Sequence, residues 1–120
     1  MLELLSPAGS MEALRAAVQN GANAVYLGVG NLNARQSAKN FTPQTLVDAV
    51  KYCHVRGVDV HLTLNTLVSD REMKEAAELI RHAAQYNIDA FIVQDLGVVQ
   101  LCRQIAPHIP IHGSTQMTVH

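Results

Sequence analysis

Val58-Asp-Val-His-Leu-Thr-Leu-Asn-Thr66 is the stretch that decides the fold. Apolar Val58, Val60, Leu62 and Leu64 alternate with polar Asp59, His61, Thr63 and Asn65, and successive strand side chains leave opposite faces. The stretch therefore reads as a strand with one apolar face and one chemical face. Helical patterns stand on both sides of it, which puts it mid-sheet, with helices on its apolar side and a polar interior opposite.

On its N-terminal side, Thr42 and Pro43 read as N-cap and first helical residue, and Leu46, Val47, Ala49, Val50 and Cys53 form a buried stripe running toward Gly57. On its C-terminal side, Ser69-Asp-Arg-Glu72 reads as a capping box. Met73, Ala76, Ala77, Ile80, Ala83 and Ala84 then give a small-residue stripe suited to packing on a sheet, and Asn87 a left-handed terminus.

Further out, Leu2 to Leu5 is a short strand stopped by Ser6-Pro-Ala-Gly9, and Ser10 caps a helix that carries Leu14, Ala17 and Val18 to Gly21. Ala22 to Gly28 is the second strand, followed by a long amide-rich and basic loop, Asn31 to Phe41. Ile88 to Val93 is the fourth strand, Gly97 to Ile105 a helix closed by Pro107, and Ile109 to His112 the fifth strand. The joints repeat one plan: Asn20-Gly-Ala-Asn-Ala24, Arg56-Gly-Val-Asp-Val60 and Tyr86-Asn-Ile-Asp-Ala90 each place a helix terminator, an apolar residue, and then Asn or Asp before a strand.

A run of βα units implies parallel strands, and right-handed crossovers between sequential strands put every helix on one face of the sheet. A (β/α)8 barrel resolves the bare face by closing the sheet on itself, and the polar set on the third strand favours that solution over a doubly wound sheet. The expected fold class is α/β, a partial TIM-like (β/α)8 barrel of about four βα units plus a fifth strand. A whole barrel takes about 250 residues, so residues 1–120 form one half-barrel domain. Its open sheet edges predict self-association.

The composition, 48% hydrophobic and 16% charged, is that of a globular chain, and a formal net charge of −1 gives no global pull toward nucleic acid or anionic membrane. No apolar run reaches the roughly 20 residues of a membrane span and no signal peptide is legible, so no membrane partner and a cytoplasmic location are expected. Cys53 and Cys102 sit among apolar neighbours in helical patterns, without a CxxC pair, and His54, His61, His82, His108, His112 and His120 show no metal spacing. No metal or cofactor site is therefore expected within the chain.

Glu3-Leu-Leu-Ser-Pro-Ala-Gly-Ser10, Gly21-Ala-Asn-Ala-Val-Tyr-Leu-Gly28, Asn33-Ala-Arg35, Asn40-Phe41, Leu64-Asn-Thr66 and Gly113-Ser-Thr-Gln116, in that order, resemble the N-terminal half of the peptidase U32 family, the collagenase-like proteases. The resemblance implies a peptidase (hydrolase) acting on a peptide substrate. The alternative it implies is the family's other branch, RNA or quinone hydroxylation factors that hold iron-sulfur clusters. The family's cysteine-containing pattern lies downstream of the aligned region, so a cluster or metal would belong to a longer parent, and the chain alone is expected to be inactive. The remaining alternative is a non-catalytic half-barrel assembly module.

Barrel chemistry lies at the C-terminal strand ends. Arg35, Asn65 and His112 are the candidate catalytic residues there: a planar guanidinium for carboxylate or phosphate, an amide for peptide or base edges, and an imidazole for proton transfer. Asn33, Thr66, Gln94, Asp95, Ser114, Thr115 and Gln116 are the candidate substrate-binding residues. Each has a plainer role beside this one. Arg35 also fits a surface loop, turn amides satisfy their own backbone, and Asp95 stands where an N-cap belongs. His61, deeper in its strand, reads as a core histidine. Ser114 and Thr115 lack a nucleophile elbow, and Gly28-Val-Gly30 is only a fragment of a dinucleotide fingerprint.

Overall fold

The structure, a computed structural model, describes residues 4–29, 41–64 and 70–113, with the side chains of residues 70 and 71 excepted. The expected capping box at 69–72, the loop of residues 31–40 and the end of the third strand thus fall wholly or partly outside the described residues. Nine elements alternate along the chain: β1 (Leu5–Pro7), α1 (Met11–Gln19), β2 (Ala24–Gly28), α2 (Pro43–Val55), β3 (Asp59–Leu64), α3 (Asp70–Gln85), β4 (Ala90–Val93), α4 (Leu96–Ile105) and β5 (Ile111–Gly113). The five strands are parallel and lie in the order β1-β2-β3-β4-β5. The sheet is open among the described residues, with β1 and β5 at its edges.

Strand bounds differ from expectation at the ends. β1 runs through Ser6 and Pro7 instead of stopping at Leu5. The reason is its edge position: Ala8 N–H donates to the Tyr26 carbonyl at 2.9 Å, so the alternate position at Pro7 faces away from β2 and loses no ladder bond. β4 begins at Ala90 and β5 at Ile111, each two residues later than expected, because Ile88 and Ile109 turn their N–H groups back to the Ala83 and Ala106 carbonyls.

Those turns explain the repeat in the joints. Gly21, Gly57 and Asn87 all have positive φ, at 92°, 74° and 70°. After each, an N–H reaches back to the helix: Ala22 to the Ala17 carbonyl, Val58 to Cys53 and Ile88 to Ala83, at 3.1, 2.9 and 3.0 Å. N–H groups of Gly21, Gly57 and Asn87 donate to the Val18, His54 and Ala84 carbonyls at 3.1, 3.1 and 3.3 Å and complete a Schellman closure at all three helices. The Asn or Asp that follows stitches the incoming strand to its predecessor. Asn23 Oδ1 accepts from Leu4 N–H and Asp89 Oδ2 from Val60 N–H, both at 2.7 Å.

Helix starts are capped as the sequence requires. Ser10 Oγ accepts from Ala13 N–H, and Thr42 exchanges bonds with Thr45, whose hydroxyl takes the Thr42 N–H at 2.7 Å. Between helices and sheet lies the core: Val25, Leu27, Val60, Leu62, Leu64, Phe91 and Val93 from the strands meet Leu14, Leu46, Val50, Ile80 and Val98 from the helices, all buried. Cys53 and Cys102 belong to this layer as free thiols. Burial pushes both up to about 11, and for Cys53 the nearby Asp89 carboxylate adds to the rise while Arg56 opposes it. They behave as small hydrophobes.

Candidate functional site

With the helix-facing residues assigned, strand periodicity turns the alternate residues to the other face. Register then sorts them into rows. Pro7, Tyr26, His61 and Ala90 form one row across β1 to β4, and Gly28, Thr63, Ile92 and His112 form the next across β2 to β5. The second row lies nearer the C-terminal strand ends. Tyr26, Thr63 and Ile92 are half-buried, His112 is exposed, and His61 is buried at 5% exposure.

Two imidazoles meet on this face. The rings of His61 and His112 stand 5.2 Å apart between centroids and at 83° to one another, edge against face. Ala90, the residue of β4 in register with His61, lies between their strands and contributes only a methyl group. Thr63 has a different commitment: its Oγ1 donates to the Leu27 carbonyl at 3.1 Å. Gly28 is beside it for a steric reason, since a Cβ at that position would lie 3.0 Å from Thr63 Oγ1.

Of the sequence-derived candidates, the structure describes three. His112 is on the face that is helix-free among the described residues, near the end of β5, where proton transfer or contact with a ligand ring is open to it. Gln94 follows β4 and is exposed. Asp95 is the N-cap of α4, its Oδ1 accepting from Gly97 N–H at 2.8 Å and Val98 N–H at 3.2 Å, the plainer of its two expected roles. Asn33, Arg35, Asn65, Thr66, Ser114, Thr115 and Gln116 lie outside the described residues. The chain nevertheless leaves for the first two from Val29, which is bridged to Phe41, for the next two from the end of β3, and for the last three from the end of β5. All these departure points are at one end of the sheet.

Tyr26 carries no signal in the sequence. Its strand, Ala-Val-Tyr-Leu-Gly, is apolar on both faces, so period two marks no chemical side there; only the register with His61 reveals it. His61, expected in the core, is buried. Its contact with His112 crosses β4 and has no signature in spacing.

A second polar cluster lies at the opposite, N-terminal end of the strands. His54 Nε2 and Asp89 Oδ2 are 2.7 Å apart, and the pair borders a cavity of about 280 Å³ lined also by Asn87, Ile88 and His108. Asp89 serves Val60 N–H with the same oxygen, so the cluster is a stitch between α2, β3 and β4. Among the described residues no group of three His, Cys, Asp or Glu side chains converges in a way that could hold a metal ion. The two cysteines, protonated and on separate helices under the sheet, do not fit a cluster either. No helix among the described residues is long and apolar enough to cross a membrane.

The fold and sequence have known counterparts. A model of peptidase family U32 matches residues 9–120. An uncharacterized protease of Methanocaldococcus jannaschii is 40% identical over 119 residues, covering 99% of this chain and 29% of that protein. The tRNA hydroxylation protein P of Helicobacter pylori is 43% identical over 119 residues, covering 98% and 28%, and a collagenase of Porphyromonas gingivalis is 35% identical over 118 residues, with the same coverage. The chain thus spans less than a third of the length of these relatives. The solved U32 peptidase Mk0906 superposes with a TM-score of 0.65 at 15% identity, over 94% of this chain and 47% of that one. That likeness establishes the TIM-like fold, of which these five strands form an open part.

Proposed function

The chain belongs to peptidase family U32, and from that premise we propose that it supplies a substrate-facing wall of an RNA-hydroxylating enzyme in the cytoplasm. The observation that carries this reading is the composition of the helix-free face. Tyr26 and His112 bring rings with polar edges onto one face, with the buried His61 ring packed against His112, next to the strand ends from which Asn33, Arg35, Asn65 and Gln116 depart. Unstacked bases are recognised by ring stacking together with hydrogen bonds to their edges, and these residue types supply both. Amides such as Asn65 and Gln94 match base edges, while Arg35 matches phosphate. The name of the Helicobacter pylori relative supports the same reading.

Peptidase activity, the expectation first drawn from the family likeness, is the second reading. It is supported by the relatives named as protease and collagenase. On this face, however, the Thr63 hydroxyl gives its hydrogen to the Leu27 carbonyl, so it is not poised toward either imidazole as a nucleophile.

A redox group of the iron-sulfur type, if the hydroxylation uses one, takes its ligands from outside these residues, since Cys53 and Cys102 do not fit it. The part assigned to this chain is to bind and orient the base, through His112 and Tyr26. The test is a chimera in which this chain replaces the matching segment of the Helicobacter pylori protein, expressed in a strain lacking the original. Nucleoside mass spectrometry should recover tRNA nucleosides one oxygen atom heavier. A chimera that accumulates folded and restores none, while cleaving gelatin, would transfer the assignment to the peptidase reading.

A further inference from the structure

We propose that His61 is a positioning residue for His112, holding that imidazole toward the space in front of the sheet where a substrate ring would stack. The proposal rests on the reading of this face as a substrate wall.

His112 needs such support because of where it stands. β5 is three residues long and, among the described residues, is paired with β4 alone, as the last strand of the sheet. Its side chain is exposed, so neighbouring atoms on its own strand do little to select a rotamer. His61 is the opposite case. It lies on the central strand at 5% exposure, with its ring fixed by burial. The small Ala90 between the two strands lets the rings meet at 5.2 Å and 83°, the edge-to-face arrangement favoured by aromatic pairs. An ordered residue thereby orders an exposed one. Ile92, half-buried, is in register with His112 on the neighbouring strand.

The test uses the 120-residue chain, its His61→Ala, His61→Phe and Ala90→Leu variants, and a short unstructured RNA oligonucleotide as probe. Histidine ring resonances are followed by NMR, and RNA affinity by fluorescence anisotropy. In the unaltered chain the ring protons of His112 should be displaced by the neighbouring ring current. His61→Ala should return them to the values of an unstructured histidine and weaken RNA binding by about three- to tenfold, the range an edge-to-face contact can carry. His61→Phe, which keeps a ring but no nitrogen, should retain the displacement and bind within about twofold of the unaltered chain. Ala90→Leu should separate the rings and reproduce the His61→Ala result with His61 still present.

Unchanged His112 resonances in His61→Ala would overturn the proposal, as would equal RNA affinity in all four proteins. Failure of the unaltered chain to bind RNA would count against the functional reading instead, and the NMR comparison would still decide whether His61 orders His112.

Discussion

Replacing Asp89 by alanine tests how the βα units are stitched together. One carboxylate oxygen of Asp89 takes two hydrogen bonds, from Val60 N–H and His54 Nε2, each at 2.7 Å. Val60 is itself fully buried, so its orphaned N–H would pay a desolvation penalty of about 1 to 3 kcal/mol. The His54 contact adds less. Both side chains are about a third exposed, at 34% and 28%, and an ion pair so screened is worth roughly 0 to 1 kcal/mol. Asp89→Ala should therefore cost about 1 to 4 kcal/mol, lowering the urea midpoint by roughly 0.5 to 2 M for a slope of about 2 kcal/mol per M. His54→Ala should cost less than about 1 kcal/mol. Asp89→Asn, which keeps an oxygen for Val60, should lie between the two. An Asp89→Ala midpoint no lower than that of His54→Ala would refute the assignment of the main contribution to the backbone bond.

Other outcomes follow from the same geometry. Gly21→Ala and Gly57→Ala should each destabilise by about 1 to 2 kcal/mol in thermal or urea unfolding, because φ of 92° and 74° strains any Cβ, whereas Asn87→Gly should be neutral or stabilising. Gly28→Ala should be better tolerated in a Thr63→Ala background than alone, since its Cβ would otherwise crowd Thr63 Oγ1 at 3.0 Å; additive costs in the double-mutant cycle would contradict this. Cys53 and Cys102, held near 11 against an ordinary 9.0, should resist a thiol reagent at pH 8 in the native chain and both react in urea. With these thiols protonated in the folded state, stability should be intact below about pH 9 and fall as pH rises toward 11, as the unfolded chain releases protons first. Sedimentation at micromolar concentration should detect self-association of the isolated chain through the β1 and β5 edges; a strictly monomeric, folded species would remove that expectation.

Much of the fold was legible because two periods dominate the sequence. Alternation in residues 58–64 assigns both faces of β3, and the helix stripes with their caps and terminators mark the crossovers that make the strands parallel. The joints were legible as a repeat, yet their bonding was not: that Asn23 and Asp89 reach the preceding strand depends on register, which no local pattern specifies. Strand ends slipped by two residues for a related reason, since Ile88 and Ile109 are buried while serving turns instead of ladders. At the site, strand-end logic selected His112 and correctly saw the N-cap role of Asp95. It missed Tyr26 and the pairing of His61 with His112, because both arise across neighbouring strands, where sequence distance carries no information.

The most direct measurement is the footprint of RNA on the chain. A uniformly labelled sample titrated with a short unstructured RNA oligonucleotide should show its largest NMR perturbations at Tyr26, His61, Thr63, Ile92 and His112. Residues of the helix-covered side, such as Glu12, Lys51 and Arg81, should stay unmoved. Perturbations confined to the helices, or spread evenly over both sides of the sheet, would contradict the claim that the helix-free face is where substrate meets this protein.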